Sequence, residues 1–528
     1  MSSLPNNTLI EDNIELHQLI GEASRYVSDA ARTGIAAHDV EKQVFDYVLK
    51  IGHQMLGSFF QLQGDGNLGA TLTFPDGQTL KRQEARTRTY RSILGDFKIN
   101  RYGYGVRAKQ ALVCYPLDTR LQLPEEEHSY PVQELFHLLT TEVSYITAHD
   151  IFKKLLKINA TVDSMERVNQ RSGEAVVAFR ETQKLPEPET EDDLLVSTAD
   201  GKGVPIRHAK DVSRIADQKL KSGPKPDRKR MAVVGAVYTI KPYVRSPSDI
   251  LEALFCDPNP VEAQDKPTRP SPQNKQVVAH LTQVVNDVEL KASQRTFDWL
   301  SQQIKARGES CQTPTLVQPD GVSDSRPILG KIHLAMMDGQ ESLWNQVKKL
   351  QAAYPERQWV EILDLMHANS YLWEAACAFH PGNSKEQLVF MKERVLRILD
   401  GQVATVISGF RQMATKRRLN KSLQAVVVKV CRYFENNQHR MKYNEYLAAG
   451  YPIATGVIEG ACRHYVKDRM ERAGMRWTIK GAQAMLNMRS VNLNGNFDEF
   501  NQYRIQQQTK KLHPHAKVIA AIEWPIAA

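Results

Sequence analysis

The chain has 528 residues, 41% hydrophobic and 24% charged, which is enough apolar content for several packed cores and excludes global disorder. Lys and Arg outnumber Asp and Glu by 69 to 60, and the resulting net charge of +9 does not by itself identify a partner. The six cysteines form no C-x-x-C pair, which excludes a secreted disulfide scaffold, and no segment has the pattern of a signal peptide or membrane span. We therefore expect a soluble cytoplasmic protein.

The N-terminal part of the chain predicts a helical region over 1–66 and a basic β-ribbon over 67–125. The ribbon is expected to turn at Pro75-Asp-Gly77 and again at Gly95. Basic residues alternate with aromatic residues here, a pattern typical of phosphate contact, although an ordinary solvated hairpin has a similar composition. The candidate DNA contacts in the ribbon are Arg86, Arg88, Arg91, Lys98 and Arg101.

Residues 126–185 predict helices separated by short polar breaks. One helix is expected to start at a Ser144 cap, and a break at 158–161 precedes the next. This is the pattern of a helix-turn-helix-like DNA-binding region, although short helix pairs are also common without that function. Ser164 and Arg167, near the start of the second helix, are the candidate DNA contacts.

An acidic, proline-rich segment at 186–193 precedes an α/β pattern, which predicts a mixed sheet flanked by helices. The first strand is expected to break at its glycines, and residues 277–307 are predicted to be helical. The predicted parts are a core over 194–383, a helical insertion over 384–448, a C-terminal part of the core over 449–500, and a tail over 501–528.

Three acidic residues lie in sequence motifs typical of metal sites. Asp200 and Asp338 each end an apolar run, and Glu459 lies in a motif flanked by glycines. Carboxylates held at buried strand ends face a cleft, and three that converge would bind Mg²⁺ or Mn²⁺, with two ions expected. The ordinary alternatives are that an Asp-Gly step forms a turn and that an early helical Glu favours the helix dipole.

Asp364 and His367 form a competing Asp-x-x-His pattern at the end of the next predicted strand. We expect Asp364 to cap a helix and His367 to line the pocket and contact the scissile phosphate, although Asp364 could replace Asp338 as the second carboxylate. A zinc site that includes Cys377 and His380 is disfavoured because the ligand types are mixed.

A basic segment surrounds Glu459, and its residues would hold DNA phosphates near the metal. Trp477 would stack on an unpaired base, although a core position fits an indole equally well. The candidate DNA contacts near the acidic residues are Lys202, Arg463, His464, Lys467, Arg469, Arg472, Arg476 and Trp477.

In four sequence motifs the chain resembles DDE-class bacterial insertion-sequence transposases, most closely the ISKra type. These motifs are Ala199-Asp-Gly-Lys-Gly-Val204, Met337-Asp-Gly-Gln-Glu-Ser-Leu-Trp344, Ile362-Leu-Asp-Leu-Met-His367 and Tyr451-Pro-Ile-Ala-Thr-Gly-Val-Ile-Glu-Gly-Ala-Cys-Arg-His464, the last continued by Val466–Trp477. The resemblance covers roughly residues 85–495. It implies a ribonuclease-H-like core with a helical insertion, and an N-terminal region that recognises transposon ends. It also implies that Asp200, Asp338 and Glu459 are the metal-binding triad.

The partners that the resemblance implies are double-stranded DNA, namely terminal inverted repeats and target DNA, and further copies of the chain in a homodimer or larger assembly. The implied location is the bacterial nucleoid. The implied reaction cleaves each transposon end, and the freed 3′-hydroxyl then attacks target DNA. The alternatives are a metal-dependent nuclease that does not join strands, and a transposase-derived DNA-binding regulator without catalysis.

Overall fold

The computed structural model describes residues 14–75, 77–106, 114–207, 229–255, 268–307, 331–380, 382, 384–472, 474–522 and 524. The chain divides into two compact units, one made of residues 1–175 and 497–528 and the other of residues 176–496. No helix in the described ranges is both long and apolar enough to cross a bilayer.

The described elements are numbered along the chain. The helices are α1 (Ile14–Thr33), α2 (Ala37–Leu62), α3 (Pro116–Arg120), α4 (Tyr130–Glu142), α5 (Tyr145–Leu155), α6 (Val162–Thr182), α7 (Pro247–Phe255), α8 (Ala292–Arg307), α9 (Glu341–Ala353), α10 (Leu365–Phe379), α11 (Lys385–Leu399), α12 (Val403–Lys416), α13 (Lys421–Asn437), α14 (Tyr443–Ala448), α15 (Gly456–Ala461), α16 (Ile479–Leu493), α17 (Phe497–Leu512) and α18 (Ala516–Ala521). The strands are β1 (Thr71–Thr73), β2 (Thr79–Ser92), β3 (Gly95–Gly105), β4 (Leu194–Pro205), β5 (Lys229–Ile240), β6 (Gln273–Leu281), β7 (Gln283–Val285), β8 (Val288–Leu290), β9 (Ile332–Met337) and β10 (Trp359–Leu363).

The first unit contains a three-stranded antiparallel sheet in the order β1-β2-β3. The predicted hairpins are confirmed, since Thr73 pairs with Thr79 and Ser92 pairs with Gly95. Gly95 has a φ of 118°, a conformation that side-chain-bearing residues rarely adopt. The segment predicted as a tail contributes Ile519 and Trp524 to the apolar core of this sheet, so it belongs to the unit's core.

The helix pair predicted around the break at 158–161 is also confirmed, as α5 and α6. The Ser144 hydroxyl caps α5 by accepting a hydrogen bond from the Thr147 amide at 3.1 Å. Phe152 and Met165 are buried in one core under the pair, which holds the two helices together. Their packing does not test whether they bind DNA.

The second unit contains a five-stranded mixed sheet in the order β10-β9-β4-β5-β6. Strands β10, β9 and β4 are parallel to one another, and β5 and β6 are antiparallel to their neighbours. Helices cover this sheet, so the predicted mixed α/β class is confirmed.

The predicted glycine break in the first strand of this sheet is wrong. Strand β4 pairs with β5 without interruption from Leu194 to Pro205, through Gly201 and Gly203. These glycines keep their backbone hydrogen-bonding groups, and a Cβ added at Gly201 would lie 2.9 Å from the Met231 methyl group. The glycines therefore make room for side chains of β5 and do not end the strand.

The predicted helix over 277–307 is correct only from Ala292 onward, where α8 begins. Residues 273–281 form β6, paired with β5, and β7 and β8 form a short hairpin. Val277, Val278, Ala279 and Leu281 are almost completely buried, and a short continuous apolar run of this kind fits a strand covered on both faces.

Residues 384–448 are helical as predicted, and they share an apolar core with the sheet and α10. The Tyr443 and Tyr446 hydroxyls donate hydrogen bonds to the carbonyls of Leu363 and Glu361, both at 2.9 Å. These bonds occupy acceptors of β10, which lies at the edge of the sheet. The helices therefore form a layer on the sheet and protect its edge.

Candidate active site

The pairing register brings three aspartates to the same level of the sheet. Ala199 pairs with Met337, and Met337 pairs with Leu363, on three adjacent parallel strands. The next residue in each strand direction is Asp200, Asp338 or Asp364, respectively. Neighbouring strands lie about 4.8 Å apart, so the three carboxylates form a row in which Asp338 is central along the backbone.

The Asp364 carboxylate accepts four hydrogen bonds. It is fully buried and caps α10, accepting bonds from the backbone amides of Met366 at 3.2 Å and His367 at 3.3 Å. It also accepts bonds from the Thr455 amide at 3.0 Å and from the His367 Nδ1 at 3.1 Å. Burial alone would raise the pKa of Asp364, but these donors outweigh it and lower the pKa. The predicted helix cap is confirmed.

The pKa of His367 is shifted in the opposite direction, upward. The hydrogen bond that His367 donates to Asp364 raises the pKa of His367 to about 9 against the effect of desolvation, and the nearby charges of Asp338 and Asp200 add to this. The imidazole is therefore protonated at neutral pH, and its side chain is 38% exposed. The buried Asp364 carboxylate thus holds the positively charged imidazolium of His367 beside Asp338 and Asp200.

Asp338 and Asp200 are less constrained than Asp364. The Asp338 Oδ1 accepts a hydrogen bond from the Gln340 amide at 2.9 Å, and one Asp200 oxygen accepts from the Gly201 amide at 2.6 Å. Burial and the charge of Asp200 raise the pKa of Asp338. The repulsion between these two acids would be relieved by a cation placed between them.

Glu459 lies on α15, which packs on β4 and β5. Its side chain is exposed, and burial of part of the residue together with the charges of Asp364 and Asp200 raises its pKa. After α15 the helix continues in π-helical form over Cys462–Lys467 and ends in a last α-turn, Asp468–Met470. Such π-segments are frequent at functional sites because they shift side chains relative to a regular helix.

The tightest group of candidate metal ligands differs from the predicted triad. Within the described residues, the one trio whose ligand atoms all lie within 4.8 Å of one another is Asp364, His367 and Glu459. Asp200 nevertheless influences the pKa of both Asp338 and Glu459, so it is electrostatically coupled to both other members of the predicted triad. Neither Cys377 nor His380, considered for a zinc site, belongs to the trio.

Most of the candidate DNA contacts near the acids are exposed. Lys202 follows Asp200 by two residues, and the side chains of a β-strand alternate, so both point to the same face of the sheet. The exposed residues of this group are Arg463, His464, Lys467, Arg472 and Arg476. In the first unit, Arg86, Lys98 and Arg167 are exposed, and Arg91 is 27% exposed and pairs with Glu127. Contact with DNA remains a prediction for all of them.

Five predicted DNA contacts have structural roles in the fold: Ser164, Arg469 and Trp477 are buried, and Arg88 and Arg101 are about nine-tenths buried at their side chains. Arg88 and Arg101 both pair with Asp118, at 3.1 and 2.7 Å. The Ser164 hydroxyl donates to the Thr161 carbonyl at 2.8 Å. Burying a charged group without a partner costs free energy, so Arg88 and Arg101 depend on the buried carboxylate of Asp118 for their place in the fold.

Arg469 is completely buried, and its guanidinium lies 4.9 Å from the centroid of the Trp477 ring. The Trp477 indole donates to the Met470 carbonyl at 3.1 Å, and its backbone amide donates to the Pro205 carbonyl at 3.0 Å. Both residues therefore anchor the end of the Glu459-bearing helix to β4, and neither reaches solvent. An isolated arginine or tryptophan in a basic run does not reveal this from sequence.

One contact in the site was missed at the sequence level. The Cys462 thiol donates a hydrogen bond to the second Asp200 carboxylate oxygen at 3.4 Å. Burial and the charge of Asp200 raise the pKa of Cys462, so the thiol stays protonated and remains a donor. Cys462 follows Glu459 by three residues, a spacing that places both on one helix face and would have placed the thiol near the acids.

No protein-family model matches this chain, and no curated protein matches its sequence.

Proposed function

We propose that the protein is a DNA transposase of the DDE class, with Asp200, Asp338 and Glu459 as its metal-binding triad. The observation that carries the proposal is the register of β4 and β9, which sets Asp200 and Asp338 side by side at the same level, with Glu459 on a helix packed against β4. The strand order, three antiparallel strands followed outward by two parallel ones, supports a ribonuclease-H-like core.

The donor set fits hard divalent cations. Asp200, Asp338 and Glu459 offer only carboxylate oxygens, the ligand type that Mg²⁺ and Mn²⁺ prefer. Asp200 stands beside Asp338 on the neighbouring strand and faces Glu459 across the packing of α15 on β4, so it suits the position of the ligand shared between two ions. When bound, the ions would supply charge neutralisation at the scissile phosphodiester and activation of the attacking oxygen.

Asp364 has a different role in this proposal. Its carboxylate accepts hydrogen bonds from the first turn of α10, from the Thr455 amide and from the His367 ring, so it orients His367 and α10. The His367 imidazolium supplies a fixed positive charge beside the acids, suited to contact a nonbridging phosphate oxygen. His367 thus positions the DNA strand, and Asp338 is the second metal ligand.

The basic residues around the acids offer contacts to the phosphates of a DNA strand. Lys202 lies next to Asp200 on the same strand face, and Arg463 and Lys467 follow Glu459 on the helical segment. Such side chains hold phosphates without reading sequence. Recognition of the terminal inverted repeats is assigned to the first unit, through its exposed ribbon residues Arg86 and Lys98.

The experiment uses the full chain with labelled DNA that carries a transposon end, with Mg²⁺ or Mn²⁺, and measures binding, cleavage and joining separately. The proposal predicts cleavage followed by joining of the freed 3′-hydroxyl to a target duplex. It also predicts that both reactions disappear with Glu459→Gln while binding is retained. Cleavage without joining would identify a nuclease, and binding without cleavage would identify a regulator; either result would replace the proposal.

A further inference from the structure

The Asp200 carboxylate accepts a hydrogen bond on each of its two oxygens. The Gly201 amide donates to Oδ1 at 2.6 Å, and the Cys462 thiol donates to Oδ2 at 3.4 Å. The two donors belong to different elements, because Gly201 lies within β4 and Cys462 directly follows α15. The carboxylate cannot turn about its Cβ–Cγ bond without losing at least one of these bonds, so together they set its orientation.

The bond from Cys462 joins segments that are distant in the chain. Asp200 and Cys462 are separated by 262 residues, whereas the described hydrogen bond to the Asp338 carboxylate comes from Gln340, two residues further along. The orientation of Asp338 is therefore set locally. The orientation of Asp200 depends in addition on how the helical segment packs on the sheet.

Cys462 connects Asp200 to the helical segment that carries Glu459. It is 5% exposed and is the first residue of the π-helical segment, three residues after Glu459. Residues with this separation lie on the same face of a helix, and both α15 and the π-helical segment pack on β4. The thiol thus contacts one acid of the proposed triad from the helical segment that supplies another.

The ordinary role of a buried cysteine is to fill space in an apolar core, and Cys431 has that role. It is 1% exposed within the core that α13 shares with the sheet, and its thiol donates to the Ile407 carbonyl at 3.8 Å. Cys462 differs in its acceptor, which is a charged carboxylate at a shorter distance. Hydrogen bonds to charged groups are the stronger ones, so the Cys462 thiol has the larger effect on the position of its acceptor.

We propose that Cys462 is a positioning residue for Asp200 and that it raises the affinity of the site for divalent cations. This inference rests on the proposed function, because it takes Asp200 as a metal ligand. A carboxylate has about four lone-pair positions, so one donor on each oxygen leaves acceptor capacity on both for an ion. A ligand that is already oriented has less conformational freedom to lose when the ion binds.

The first measurement is the Mn²⁺ affinity of the full chain without DNA, followed through the electron paramagnetic resonance signal of the free ion. Asp200→Asn should lose this binding, which assigns it to the site. Cys462→Ala removes the donor and should weaken the binding by about tenfold, the lower end of the range typical for residues that orient a metal ligand. Cys462→Ser keeps a donor and should lie closer to the wild type than to Cys462→Ala. The matched control is Cys431→Ala, which removes a buried thiol elsewhere and should bind Mn²⁺ as the wild type does.

The second measurement is cleavage of labelled transposon-end DNA over a range of Mg²⁺ concentrations. For Cys462→Ala the Mg²⁺ concentration that gives half-maximal cleavage should rise about tenfold, with DNA affinity unchanged. A loss of folded protein would instead lower cleavage at every Mg²⁺ concentration without moving this midpoint. Far-ultraviolet circular dichroism checks that each variant is folded.

The two measurements separate this inference from the proposed function. The positioning role is overturned if Cys462→Ala binds Mn²⁺ as tightly as the wild type, if Cys431→Ala weakens binding equally, or if Cys462→Ser is no better than Cys462→Ala. Mn²⁺ binding that depends on Cys462 in a chain that cleaves no DNA would support the positioning role and overturn the proposed function. A wild type that binds no Mn²⁺ would overturn both.

Discussion

Asparagine substitutions at Asp364 and Asp338, which follow neighbouring strands, distinguish an acid that stabilises the fold from one that binds metal. In Asp364→Asn the amide group would face donors, because the carboxylate accepts bonds from three backbone amides and from the His367 ring. Hydrogen bonds to a charged group contribute about 1.5–3 kcal/mol, and breaking a buried ion pair costs about 3–5 kcal/mol. We expect a loss of about 3 kcal/mol of unfolding free energy, or about 6 °C in Tm for a unit of this size.

Asp338→Asn should behave in the opposite way. The carboxylate accepts one described hydrogen bond, from the Gln340 amide at 2.9 Å, and burial and the charge of Asp200 raise its pKa. Removing the charge of Asp338 relieves its repulsion with Asp200, so the unfolding free energy of the variant should stay within about 0.5 kcal/mol of the wild-type value. Cleavage should nevertheless be lost, with DNA binding retained.

The assay combines thermal unfolding at neutral pH, followed by circular dichroism without added metal, with cleavage of labelled DNA in Mg²⁺. The reasoning would be refuted if Asp364→Asn melted with the wild type and were the one variant that lost cleavage. In that case Asp364 would be the second metal ligand, and the trio of Asp364, His367 and Glu459 would be the metal site.

Two further predictions concern stability. The hydrogen bond that His367 donates to Asp364 raises the pKa of His367 to about 9 from 6.5, so the protonated imidazole stabilises the folded state below pH 6.5, and this contribution is lost as the pH rises to about 9. The Tm of the wild type should therefore fall over that range relative to His367→Gln, and parallel profiles would contradict the assignment. Gly339→Ala should destabilise the protein by about 1–3 kcal/mol, because an added Cβ would lie 2.1 Å from the Tyr433 ring. Gly409→Ala, whose Cβ meets nothing within 4 Å, is the matched control and should be neutral or stabilising, and equal effects of the two would refute the packing argument.

The sequence by itself determined which segments form strands wherever apolar runs were bounded by clear turns. The strands that end just before Asp338 and Asp364 were predicted, as was the cap that Asp364 provides for α10. The hairpin turns and the Ser144 cap followed equally from local chemistry, because a turn or a cap is decided by a few adjacent residues. The strand at 273–281 was missed because a short apolar run has no distinguishing period.

The tertiary structure alone decided which charged residues are free to act. Sequence cannot show that Arg88 and Arg101 share the buried Asp118, or that Arg469 is sealed against Trp477, because both arrangements depend on contacts between segments distant in the chain. The row of three aspartates likewise depends on strand register, since a shift of one residue turns a side chain to the other face of the sheet. Residue type supplied the chemistry of the site, whereas packing and register decided which residues can perform it.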